Sequence, residues 1–232
     1  TYGFNEADYQ VLDYAMTYDS SLFTYRHNEE NYQIHSLLLG KYNIYNVLAV
    51  ISLLSEMGVK YEQIHEVICK LKAPVGRMEI IRYNNNIIVI DYAHTPDAVE
   101  KVINTVKEIT NGDIYVVFGC TGDRDRIKRP IMTDIVAKAS KYFIITNDDP
   151  HYEEPAEIVD DMVKDLEFNN YEVLLDREEA IVKGISLLKE KDALLILGKG
   201  HEEVMIIKDK KVPFNDRKAV ENYLSTLKVG EE

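Results

Sequence analysis

The chain has 232 residues, 46% of them apolar and 29% charged, enough for one large domain or two small ones with a substantial core. Its formal net charge of −13 argues against a nucleic-acid backbone or an anionic membrane surface as partner. There is no run of eighteen apolar residues, Thr1–Gln10 has no signal-peptide pattern, and Cys69 and Cys120 lack any CxxC or Cys/His spacing, so a cytoplasmic protein with reduced thiols and no membrane insertion is expected.

In chain order, Leu22–Arg26 and Asn31–Leu37 read as short strands around the polar turn His27–Glu30. Ile44, Val47, Leu48, Ile51 and Leu54 recur at helical spacing, which predicts a helix over Asn43–Glu56 with Gly58 as its stop. Tyr61–Leu71 reads as a second amphipathic helix. Ala73-Pro74-Val75-Gly76 then breaks the pattern, and a domain boundary is placed there, dividing 1–75 from 76–232. From Ile80 onward strands are expected at 80–84, 87–91, 114–118, 142–146, 171–175 and 192–197, with a hairpin at 204–207 and 210–213. Helices are expected at 97–110, 131–140, 155–166, 177–189 and 216–227. This alternation predicts an α/β fold with a doubly wound, mostly parallel, Rossmann-like sheet. The first region, with two or three strands and two helices, reads as the tail of a larger domain whose beginning is missing. Neither a GxxxxGK[ST] phosphate loop nor a GxGxxG after a strand occurs.

Four polar islands each follow an apolar run. DYAHTPD (Asp91–Asp97) follows IIVI, GCTGDRDRIKRP (Gly119–Pro130) follows IYVVF, NDDPHYEEP (Asn147–Pro155) follows YFIIT, and GKGHE (Gly198–Glu202) follows ALLIL. Open α/β sheets bind ligands at the carboxyl ends of their strands, so these loops are expected to build one site. Asn43 suits a helix cap, whereas Asn46 lies a turn inside, where asparagine is a poor helix former but its amide can both donate and accept. The guanidinium of Arg77 can hold a phosphate bidentately. Asp91 can accept from hydroxyls or cap a turn, and His94 can be a ligand contact or a satisfied histidine. Arg124, Arg126, Lys128 and Arg129 form a cationic patch or, with Asp123 and Asp125, a self-neutralising cluster. Asp148, Asp149 and His151 can bind or merely cap the helix near Pro155. The glycines beside Lys199 allow close backbone approach, and Glu202 can pair with an ammonium.

GKYNIYNVLAV (Gly40–Val50), GRME (Gly76–Glu79), DYAHTPDA (Asp91–Ala98), FGCTGDRDRIKRP (Phe118–Pro130), DDPHYEEP (Asp148–Pro155) and LGKGHE (Leu197–Glu202) occur in the order found in the Mur ligases. The chain resembles that family over nearly all of Leu39–Leu224. The resemblance implies the end of a central ATPase domain (1–75) followed by the C-terminal domain (76–232). It also implies an ATP-dependent peptide ligase of peptidoglycan synthesis, whose partners are UDP-N-acetylmuramoyl-L-alanyl-D-glutamate and an amino acid. ATP and Mg2+ are the implied cofactors, and the reaction passes through an acyl-phosphate that the incoming amine attacks. The phosphate loop and carbamylated lysine of the family match nothing here. No catalytic residue and no metal ligand is therefore assigned, and this stretch alone is expected to be inactive.

For the site, the resemblance implies ATP binding by Asn46, Arg77, Asp91 and His94. It implies amino-acid binding by Arg124, which matches the arginine gripping the α-carboxylate, and by Asp148, Asp149, His151, Gly198 and Glu202. GCTGDRD replaces the commoner GxGGDRD-like spelling and keeps that arginine. Family members that add meso-diaminopimelate read Asp-Asn-Pro-Arg at Asp148–His151, and their arginine holds the distal carboxylate. Here a histidine replaces the arginine and Asp149 replaces the asparagine. A neutral imidazole is a poor carboxylate partner, and an added acid opposes a carboxylate. L-Lysine is accordingly the expected substrate. The alternatives are a diaminopimelate-adding ligase, a folate or cyanophycin type of synthetase, or a non-catalytic nucleotide- or amino-acid-binding module.

Overall fold

Pro74 separates two units with their own cores, Thr1–Pro74 and Val75–Glu232, and the computed structural model describes residues 1–229.

In the first unit, β1 (Tyr2–Gly3), β2 (Tyr9–Met16), β3 (Ser21–His27) and β4 (Glu30–Ser36) form a sheet in that order, with β1 parallel to β2 and the rest antiparallel. Its inward face carries Tyr9, Val11, Phe23, Tyr25 and Ile34. These pack on Ile44, Val47, Leu48 and Ile51 of α1 (Lys41–Glu56) and on Ile64 and Ile68 of α2 (Tyr61–Ile68). The apolar residues of α1 recur at i, i+3, i+4 and i+7, the spacing that puts one stripe against a sheet. Gly40 occupies the position before α1 with φ 98° and supplies no side-chain cap. Asn43 is therefore not the cap: its Nδ2 donates to the Leu39 carbonyl at 2.7 Å from inside the helix.

In the second unit, β5 (Glu79–Tyr83), β6 (Asn86–Asp91), α3 (Pro96–Ile109), β7 (Ile114–Phe118), α4 (Lys128–Ala139), β8 (Tyr142–Ile145), α5 (Pro155–Val163), β9 (Tyr171–Val173), α6 (Arg177–Ser186) and β10 (Ala193–Leu197) alternate. The hairpin β11 (Val204–Ile207) and β12 (Lys210–Pro213) and the helix α7 (Asp216–Val229) complete it. The six-stranded sheet has the order β5-β6-β10-β7-β8-β9; β5 is an antiparallel edge and every other pairing is parallel. β7 and β10 are apolar throughout and β6 is apolar between Asn86 and Asp91, as a sheet covered on both faces requires. Ile88, Ile90, Tyr115, Val117, Leu194 and Ile196 pack with α6 and α7. By strand alternation, Val89, Val116 and Leu195 turn to the opposite face.

The chain runs outward through β7, β8 and β9, then returns to insert β10 between β6 and β7. That reversal brings the loops after β6, β7, β8 and β10 to one end of the sheet, the geometry of a ligand-binding switch point. The predicted α/β, mostly parallel sheet is present, with elements shifted at their ends. α4 starts at Lys128 rather than 131, because proline is tolerated in a first turn and Pro130 does not mark the start. α6 ends at Ser186, α5 at Val163 and β9 at Val173, each earlier than expected. Among the described residues no helix is long and apolar enough to cross a membrane.

Candidate functional site

The four loops enclose a cavity of about 490 Å3. Its lining includes His94, Arg124, Asp148, Asp149, His151, Gly198 and Glu202, seven of the ten residues expected at a site, together with Cys120, Lys128, Arg129 and Ile206.

The cavity floor is built around a residue the sequence reading passed over. Lys199 is fully buried, and its Nζ donates to Asp149 Oδ1 at 2.7 Å and to Glu202 Oε2 at 2.8 Å, with Asp148 Oδ1 at 3.8 Å. Burial opposes its charge, yet the three carboxylates hold its pKa above the ordinary lysine value. The same Asp149 oxygen accepts from Ile206 N at 2.8 Å, fixing β11 to the floor. Burial pushes the Asp148 carboxyl up to about 6, against the pull of the Arg177 and Lys199 charges. The backbone delivers these groups through Gly198, where φ is 112° and a Cβ would lie 2.4 Å from Asp148 Oδ2.

A second unanticipated cation lies beside the floor. Arg177 is buried and bonded to Asp216 at 2.7 and 2.9 Å, and it also donates to the carbonyls of Asn147 (3.2 Å) and Leu197 (3.0 Å). It thereby clamps the two strand ends that lead into Asp148 and Gly198. The sequence signal was slight: an arginine at a helix start after Asp176.

The cationic segment after β7 resolves into paired and unpaired members. Buried Arg129 grips Glu153 bidentately at 2.8 and 2.9 Å and Asp161 at 2.8 Å. Arg126 also reaches Glu153, at 2.9 Å, and Lys128 lies 3.7 Å from Asp125. Hydrogen bonds from Arg129 hold Glu153 down at about 2. Arg124 alone among these cations makes no ion pair with the described residues; it is exposed and lines the cavity. The patch is thus largely self-neutralising, with one free guanidinium. Backbone contacts set the width of the opening: Gly122 N donates to the Asp149 carbonyl at 2.8 Å, and a Cβ on Gly122 would fall 1.9 Å from the Pro150 oxygen.

Cys120 on the wall is pushed up to about 12 by burial, which leaves a thiol with little nucleophilic character. His151 is half-buried with φ 50°, and its backbone pairs with the hairpin through Ile206 O and Lys208 N.

The residues read for ATP belong to both units. His94 is exposed on the cavity rim, its Nδ1 2.8 Å from the Tyr92 carbonyl. Arg77 lies over the Tyr92 ring at 4.7 Å. Asp91 sits beneath the cavity wall, 3% exposed, with its oxygens accepting from Met78 N (2.7 Å) and Ala93 N (2.8 Å). Burial raises its pKa despite those bonds. In this arrangement Asp91 braces the turn that follows β6. Asn46 lies in the first unit, exposed, its Nδ2 3.3 Å from Asn43 Oδ1.

Asp148, Asp149 and Glu202 bring carboxylate oxygens within 4.8 Å of one another, the one such acidic group found among the described residues. The Lys199 ammonium already sits among them, so the set does not fit Mg2+, which needs open oxygen ligands in octahedral array.

Residues 76–200 match the family model described as "Mur ligase, glutamate ligase domain". The UDP-N-acetylmuramoyl-L-alanyl-D-glutamate--2,6-diaminopimelate ligase 1 of Clostridium acetobutylicum is 39% identical over 98% of this chain and 48% of its own length. The corresponding ligase of Bacillus cereus is 40% identical over 97% and 46%. A solved structure of a UDP-N-acetylmuramoyl-L-alanyl-D-glutamate--2,6-diaminopimelate ligase superposes with TM-score 0.70 at 32% identity, covering 96% of this chain and 46% of that one. The UDP-N-acetylmuramate-alanine ligase of Thermotoga maritima, at 17% identity and TM-score 0.69, shares the fold. The chain spans about half the length of the curated relatives it matches.

These relatives are named for diaminopimelate, so the expectation of L-lysine is not supported. The cavity floor weakens one of the two arguments for it, the one from Asp149. Asp149 was read as a free acid that would repel a second carboxylate, but its charge is taken up by Lys199 at 2.7 Å. With the family model covering residues 76–200 and relatives near 40% identity along almost its whole length, the chain belongs to the Mur ligase family.

Proposed function

We propose that the chain is part of an ATP-dependent ligase that adds meso-diaminopimelate to UDP-N-acetylmuramoyl-L-alanyl-D-glutamate, with 76–232 providing the amino-acid site and 1–75 the end of the ATP-binding domain. The observation that carries this reading is the unpaired Arg124 on the same cavity as the acid-rich Lys199 cluster. An amino acid presents a carboxylate and an ammonium, and a cavity with a free guanidinium and an excess of acids suits both. Glu202, partly exposed, is placed for the ammonium. For a second carboxylate the lining offers Lys128 and the ring nitrogens of His151.

ATP would supply the phosphoryl group that converts the D-glutamate side-chain carboxylate into an acyl-phosphate. Toward it, this chain offers Arg77, its guanidinium stacked on Tyr92, and the exposed His94 beside them. The cavity residues would bind and orient the incoming amine, a positioning role. The names of the relatives favour diaminopimelate over lysine and over a purely binding module.

Calorimetric titration of the 232-residue chain tests the reading. Meso-diaminopimelate should bind measurably tighter than L-lysine, and the chain should turn over no ATP, since it has no GxxxxGK[ST] loop. Binding of neither amino acid would overturn the assignment of the cavity.

A further inference from the structure

The reading above gives Lys199 no role of its own, yet this fully buried cation sits behind the cavity lining, bonded to the lining residues Asp149 and Glu202. It stands between two glycines with positive φ, Gly198 at 112° and Gly200 at 51°. That backbone turns a long side chain inward, directly after the apolar strand β10. Its ammonium contacts Asp149 Oδ1 and Glu202 Oε2, leaving Glu202 Oε1 toward Tyr92 Oη at 3.4 Å.

The charge balance is informative. Asp148, Asp149 and Glu202 with Lys199 sum to −2 when all are ionised; without Lys199 the same floor carries −3. In a site of low dielectric one such charge strongly biases which ligand enters. Lysine has a net charge of +1 at neutral pH and diaminopimelate none, since its second carboxylate offsets its second ammonium. A floor of −3 favours the first, and each charge neutralised favours the second.

We infer that Lys199 is a specificity-setting positioning residue: by binding Asp149 and one oxygen of Glu202 it removes the negative charge that would otherwise exclude a substrate with a second carboxylate. The inference rests on the amino-acid site proposed above. It differs from a structural role because it concerns the ratio of two ligands. It also answers the Asp149 half of the argument for lysine, which treated one member of an ion pair as free.

The test is the ratio of dissociation constants for meso-diaminopimelate and L-lysine, measured by calorimetry on the chain and its variants, with folding checked by circular dichroism. Lys199→Met should shift the ratio toward lysine by about tenfold or more. Asp149→Asn with Lys199→Met restores −2 and should return the ratio to within about threefold of the original, and Lys199→Arg should leave it there. A folded Lys199→Met with an unchanged ratio overturns the inference. Should that variant not fold, Asp149→Asn alone must shift the ratio toward diaminopimelate, and its failure to do so overturns the inference equally.

Mn2+ separates this inference from the reading beneath it. If the unaltered chain binds neither amino acid but Lys199→Met gains Mn2+ affinity by tenfold or more, as detected by electron paramagnetic resonance, the charge role of Lys199 stands and the amino-acid site falls. If neither amino acid binds and Mn2+ affinity is unchanged, both fall.

Discussion

The two units make their interiors from different materials. Among the described residues of Thr1–Pro74, the buried polar side chains are two serines, Ser21 and Ser36, and the core is aliphatic and aromatic. The described residues of Val75–Glu232 include eight buried charged ones: Asp91, Arg129, Asp148, Asp149, Arg177, Asp192, Lys199 and Asp216. Burying charge is unfavourable unless each group is paired and hydrogen-bonded, so such an interior is rarely the most stable choice. Four of the eight (Asp148, Asp149, Arg177 and Lys199) line or clamp the loops after β8 and β10. The difference teaches that stability alone suffices to explain the first core, whereas the second is organised around holding polar loops in fixed places.

Breaking a clamp should have the largest effect. Arg177→Met leaves Asp216 buried without its partner and releases the Asn147 and Leu197 carbonyls. A loss of roughly 3–5 kcal/mol is expected by urea denaturation followed by circular dichroism, since the chain has no tryptophan to report on unfolding. Adding Asp216→Leu should recover much of it, because the cost arises from the orphaned charge. A loss below about 1 kcal/mol for the single change would show the pair to be dispensable.

Arg124→Ala sharpens the contrast from the other side. The residue is exposed and unpaired, so stability should hold within about 0.5 kcal/mol, while amino-acid binding weakens by about 1.5–3 kcal/mol through loss of a charged hydrogen bond. Wild-type affinity in a titration of this variant would remove Arg124 from the site.

The pH dependence should be smaller and opposite in sign at two carboxyls. Asp148, raised to about 6 from 3.8, contributes stability that is full below about 4 and is lost as pH rises through 6. Glu153, lowered to about 2 from 4.5, contributes stability that is full above about 4.5 and is lost as pH falls through 2. Asp148→Asn should therefore flatten the fall in melting temperature between pH 4 and 6. An unaltered profile would place the titration elsewhere. The least effect belongs to the first core. Ser21→Ala removes one bond, to the Leu38 carbonyl at 2.8 Å, and should cost about 1 kcal/mol in the same denaturation assay.

The same contrast decides what could be read in the sequence. The continuous apolar run gave β7, and the turn at Asp209-Lys210 gave both strands of the hairpin, to the residue, because each signal is local. β2 escaped because its register shifts between Val11 and Asp13, which breaks the period of two. Arg124 and the acids of NDDP stood out as polar residues after apolar strands. Lys199 and Arg177 did not, because a buried cation and an exposed one are the same letter. What sets them apart is the partner, and Asp149 and Asp216 lie 50 and 39 residues away from them. Misjudging Asp149 followed directly from missing Lys199.

Gly122 has a last consequence. Because its Cα approaches the Pro150 carbonyl so closely that a methyl group would stand 1.9 Å from the oxygen, main chain is seated on main chain where these two loops meet. The bore of the pocket is therefore machined into the frame, and Arg124, Asp149 and His151 are fittings mounted on it. Fittings can be exchanged singly while the bore keeps its gauge, which is how one scaffold can be refitted from one amino acid to another without being rebuilt.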